Sequence, residues 1–150
     1  MTDEATVEAI RREHPGVVES LPEGDRRQVA HAARNNQGVA VRLMLESGWP
    51  VNATGQHRAT PLHWAAFHGN AEMVATILRF NPPLESTDAD FKGTPLGWAV
   101  HGSEHGWYCQ TGDYGATVAT LIRAGARRPD VIAGSAAVQE VLRGSGSTSH

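Results

Sequence analysis

"ATPLHWAAFHG" (residues 59–69) is answered further along the chain by "GTPLGWAVHG" (93–102), with Thr60 and Thr94 34 positions apart. A period of that length marks a chain built from one small unit repeated, each copy burying its apolar face against the next. Each segment starts a helix for local reasons. Thr60 and Thr94 suit the N-cap, and Pro61 and Pro95 follow where a missing N–H costs nothing. A second helix comes next in "AEMVATILRFN" (71–81) and "GATVATLIRAGA" (115–126), with Met73, Val74, Ile77 and Leu78, or Val118, Leu121 and Ile122, spaced by three and four. Gly48, Asn81 and Gly125 close these helices as residues tolerant of left-handed backbone. A degenerate third copy lies upstream, "VAHAARNNQGVAVRLMLESG" (29–48), and the small pairs Ala32/Ala33, Ala65/Ala66 and Ala99/Val100 admit close helix approach.

These residues resemble the ankyrin repeats, whose signature includes T-P-L-H-x-A-A at a period of about 33. The likeness is fullest at Thr60, Pro61, Leu62, His63, Ala65, Ala66 and Gly69, good at Thr94, Pro95, Leu96 and Ala99, and covers roughly 25–128. The resemblance implies an all-α solenoid of stacked helix-turn-helix units that binds another protein on a concave face of first helices and fingers. Two departures stand out. Arg27-Gln28-Val29-Ala30 occupies the T-P-L-H position of the first unit, and Gly97 replaces the motif His, so a Thr-to-His hydrogen-bond network is expected at Thr60–His63 and not at Thr94.

The flanks read as caps: residues 1–24, with Val7 and Ile10 on one helical face, and a final helix at 129–143 begun by Pro129, with Val131, Ile132, Val138 and Val141 covering the last unit. Residues 144–150 read as a flexible tail. Composition agrees with one folded unit. At 150 residues there is room for one modest core, and 40% apolar with 19% charged residues excludes a disordered chain. A formal charge of −3 gives no field for nucleic acid or an anionic membrane. No apolar run approaches the ~18 residues of a membrane span, and the first residues lack signal-peptide order, so a cytoplasmic protein is expected. Cys109 is the only cysteine and forms no internal disulfide; twelve Arg against one Lys point to GC-rich coding and a bacterial source.

The distance from the turn after the first helix to the end of the second is constant in the first two units, and the third carries ten residues more, 103–112. This insert, within "HGSEHGWYCQTGDYG" (101–115), reads as a loop at the rim of the stack. Trp64 shares a helical face with Phe67 and His68, and Trp98 with His101. Glu104, His105, Trp107 and Tyr108 would extend that patch into a recognition wall, with Arg34, His57 and Phe91 as outlying contacts. Other readings stay open. Trp64 and Trp98 fill the inter-repeat core equally well, and the insert could be an ornament resting on Trp107 and Tyr108. A small molecule in the Trp/His-lined pocket, or acid/base catalysis there by His68, His101 or His105 with Glu104 or Asp113, is the alternative function; Cys109 would be a nucleophile only with a depressed pKa. His101, His105, Cys109 and Asp113 recur every four residues, but Gly102, Gly106 and Gly112 argue against one continuous helix aligning them, so neither metal nor cofactor is expected.

Overall fold

In the computed structural model, which describes residues 27–148, the chain forms seven α-helices and one 3-10 turn, with no strand among the described residues. The helices are α1 (Gln28–Arg34), α2 (Gly38–Glu46), α3 (Pro61–Phe67), α4 (Ala71–Leu78), α5 (Pro95–His105), α6 (Tyr114–Arg123) and α7 (Ala136–Thr148); the 3-10 turn spans Gln56–Arg58. α1, α3 and α5 stack as an inner layer, α2, α4 and α6 as an outer layer, and α7 closes the stack against α6. This is the all-α solenoid expected.

Local chemistry sets the helix starts. Thr60 Oγ1 accepts the His63 N–H at 3.3 Å while His63 Nδ1 accepts the Thr60 N–H at 3.1 Å, a reciprocal capping box. His63 Nε2 then donates to Gly93 O at 2.9 Å, which ties the second unit to the finger of the third. Thr94 caps with the Gly97 N–H alone, at 3.1 Å, so the network is incomplete where Gly97 replaces His. Arg27, at the corresponding place in the first unit, provides no side-chain cap. Gly48, Asn81 and Gly125 all have positive φ, as their turns require. Leu62, Met73, Val74, Ile77, Leu96, Val118 and Leu121 form the buried seam, whereas Leu78 is only half-buried at its edge.

Three expectations change. First, the insert is not all loop: α5 runs to His105, through Gly102, although α3 stops at Phe67. The glycine is there for contact. A Cβ at Gly102 would stand 2.3 Å from Phe67 O, so only a bare Cα lets the longer helix lie on the end of α3. Second, no helix begins at Pro129. Residues 130–135 are irregular, Gly134 has a φ of 99°, and α7 starts at Ala136 and continues to Thr148, past the start of the expected tail. Val131 and Ile132 are exposed, and Val138 and Leu142 make the buried cover instead. Ser103 fixes this junction: its buried hydroxyl donates to Val100 O at 2.7 Å and accepts the Ser135 N–H at 2.9 Å. Third, His68, read as a groove contact, is 1% exposed beneath the insert. The N-terminal cap expected at 1–24, with Val7 and Ile10, lies outside the described residues.

Candidate functional site

One carboxylate, which sequence reasoning missed, organises the exposed end of the third unit. Asp88 is buried. Its Oδ1 accepts the Gly93 N–H at 2.8 Å and the Trp98 indole N–H at 2.9 Å, and its Oδ2 accepts the N–H groups of Phe91 at 2.6 Å and Asp90 at 3.0 Å. Burial alone would raise its pKa, but the hydrogen bonds outweigh it and hold the carboxyl below its ordinary value. Asp88 therefore fixes both the finger that carries Phe91 and the ring of Trp98. An Asp followed by a turn and then Gly-Thr-Pro is the available sequence signal. The neighbouring finger is joined to this one through the Ala89 N–H to His57 O, at 2.9 Å, and through the His57 ring to the Asp90 carboxylate.

Trp64 and Trp98 are both buried, at 3% and 7% exposure, and meet edge to face at 5.0 Å between centroids. They are core and groove at once. Together with His57, Phe67, Phe91, His101 and Trp107 they line a cavity of about 350 Å³. Trp107 arrives from the insert and lies nearly parallel to Trp64, centroids 5.7 Å apart, and perpendicular to Phe67. Phe91 and Trp107 stay exposed, at 71% and 56%. Exposed aromatic rings on either side of a small apolar cavity suit recognition of another surface.

Beneath Trp107, His68 donates its Nε2–H to Arg34 O at 2.7 Å, and the edge of its ring meets Tyr108 at 4.9 Å between centroids. Burial lowers its pKa, so the ring is neutral at neutral pH, and its Nδ1 is buried without a hydrogen-bond partner. Burial likewise lowers the pKa of His63, so the neutral ring can both accept from Thr60 and donate to Gly93. The far side of the insert is anchored by Tyr114, whose hydroxyl donates to Phe67 O at 2.7 Å; burial first, and nearby Cys109 second, push its phenol up to about 12. No sequence signal links Tyr114 to a carbonyl so far upstream.

Of the other residues expected here, His101 lines the groove and its ring lies 5.0 Å from that of His105, while Glu104 lines a separate hollow against α7. Asp113 is occupied as the N-cap of α6, accepting the Ala116 N–H at 3.1 Å. The acid/base set is thus dispersed: one His buried, one carboxylate a helix cap, the other on a different surface. Among the described residues no three His, Cys, Asp or Glu side chains are grouped to hold a metal, and no helix is long and apolar enough to cross a membrane.

The model of ankyrin repeats in three copies matches residues 6–88 and 29–111. The chain belongs to the ankyrin repeat family. Ankyrin repeats are generally protein–protein interaction modules. Among similar proteins, the palmitoyltransferase Hip14 of Drosophila melanogaster is 27% identical over 92 residues, 61% of this chain and 14% of that protein. The leucine-rich repeat serine/threonine-protein kinase 1 of Caenorhabditis elegans is 40% identical over 70 residues, 45% of this chain and 3% of that protein. The chain thus spans a small part of the length of either relative. The human ASB11 ankyrin repeat domain superposes with a TM-score of 0.61 at 18% identity, covering 78% of this chain and 53% of that one, a likeness of fold. All three proteins come from animals, which lends no support to the bacterial source read from the arginine excess.

Proposed function

We propose that this ankyrin stack is a binding module for another protein, which docks on the concave face between the Phe91 finger and the insert. The observation that carries this is the pairing of a cavity of about 350 Å³ with two exposed aromatic rings, Phe91 and Trp107, each held in place by buried structure. Asp88 anchors the finger under Phe91, and Trp107 rests on Trp64. Rigid aromatics lose little entropy on binding, and truncating such an anchor typically costs about 2 kcal/mol or more.

The test is quantitative partner capture from the source cell with the wild type, Trp107→Ala, Phe91→Ala and, as an outer-face control, Val39→Ala, which alters an exposed residue of α2. Partners should be retained by Val39→Ala and lost from both aromatic variants at unchanged melting temperature. Capture that ignores Trp107 and Phe91 would place the binding surface elsewhere.

A further inference from the structure

The side chain next to the groove indicates what kind of partner it accepts. Arg34 ends α1, its carbonyl held by His68. Its guanidinium carbon lies 5.1 Å from the Trp107 ring centroid and 5.8 Å from that of Trp64, so it shares two rings with the groove. Yet its hydrogen bonding is poor. Among the described residues Nε is buried with no partner, and the one guanidinium bond is from Nη1 to the adjacent Asn35 side chain at a long 3.4 Å. No ion pair to Arg34 exists among the described residues. A guanidinium is always charged, and its planar fork matches a carboxylate; stacked on indole it is already oriented, so little further order is lost when it binds one.

The charges around the groove point the same way. Asp88 is buried and fully engaged under Trp98, Asp90 is engaged with His57, and Glu104 lies in the other hollow. No free carboxylate among the described residues lines the aromatic pocket, while the chain as a whole carries −3. A cationic side chain entering the pocket would meet the field of Arg34 across Trp107, and an anionic one would be drawn to it.

Building on the protein-binding reading, we infer that the concave face takes an acidic peptide segment, seating a bulky apolar side chain among Trp64, Trp98, Phe91 and Trp107 and laying a Glu or Asp carboxylate on Arg34. In an extended segment, side chains on one side recur every second residue, about 7 Å apart, enough to step across the indole from pocket to guanidinium.

A random peptide library displayed on phage, selected on the full chain, tests this. Wild-type selections should be enriched in Asp or Glu two positions from a bulky apolar residue. In a selected peptide, Glu→Gln should weaken binding by at least about ten-fold, a loss that raised salt diminishes and that nearly disappears on Arg34→Gln. Should Arg34→Gln not fold, Arg34→Lys, which keeps the charge but not the fork, should retain only part of the acidic preference. Neutral or basic selected peptides whose binding still requires Trp107 would overturn the acidic assignment and leave the protein-binding reading intact. A library yielding no Trp107-dependent peptide would overturn both.

Discussion

The second and third units begin with almost the same words and end differently. Two glycines and a serine account for the divergence. At the position where α3 has His63, α5 has Gly97; at that of His68 it has Gly102; and at that of Gly69, whose φ of 66° ends the helix, it has Ser103. The second unit uses the two histidines of its first helix and its end on joints, His63 to the following finger and His68 to the preceding helix. The third has lost both joints and the left-handed stop. Its first helix therefore runs on for 11 residues instead of 7 and delivers Trp107 over the unit before it. The wall that carries Trp107 rests on small residues within the repeat, Gly102 above all, as much as on the residues of the insert.

The largest effect should come from refilling the contact that allows this. Gly102→Ala places a Cβ against the Phe67 carbonyl and should cost about 3 kcal/mol in denaturant melts; a wild-type midpoint would mean that α5 does not need the bare Cα. Next, His63→Ala leaves the Thr60 N–H and the Gly93 carbonyl without their ring partner and should cost about 2 kcal/mol. Thr94→Ala, which removes a cap without a reciprocal bond, should cost about 1 kcal/mol. If the two variants melted alike, the capping box would add nothing to the plain cap.

Acid should separate the units as well. Both His63 and His68 have folded pKa values held by burial below the ordinary 6.5, so below that pH the unfolded chain takes up protons that the folded chain refuses. Stability is then full above pH ~6.5 and declines as the pH falls from there toward the depressed folded values. Midpoints measured between about pH 7.5 and 5.5 should fall in the wild type and fall less in His68→Gln; equal slopes would remove His68 as a source. The smallest change is expected at Gly97→Ala, where the new methyl meets only Thr94 Oγ1, at 3.6 Å, and the exposed helix position should gain roughly 0.5–1 kcal/mol.

The stack was legible in the sequence because its determinants are local: a Thr-Pro start, a spacing of three and four, and a left-handed residue at each end. What could not be read depends on distant groups. Gly102 looks like a helix breaker until the carbonyl of Phe67 lies against it. His68 falls on the same helical face as Trp64, and Trp107 and Tyr108, brought from the insert, lie against it. Pro129 is a plausible helix start, but the backbone turns at Gly134 and the chain is held there through Ser103. Of the residues that line the cavity, Phe91, His101 and Trp107 carry a signal in residue type and repeat register, whereas the role of Asp88 lies in bonds that fold back over a finger.

The clamp between the second and third units also decides how the stack breathes. Tyr114 Oη on Phe67 O and the Asp113 N–H on Gly69 O, at 2.8 Å, cross the boundary between these two units at the point where the insert returns. In a linear array whose neighbours are coupled mainly through their interfaces, an extra tie merges two steps of opening into one. Amide protons of α3 and α5 should then exchange with solvent at a common rate, as a single block, and Tyr114→Phe, which removes the hydroxyl bond and leaves the Asp113 bond, should loosen the tie and move the two rates apart.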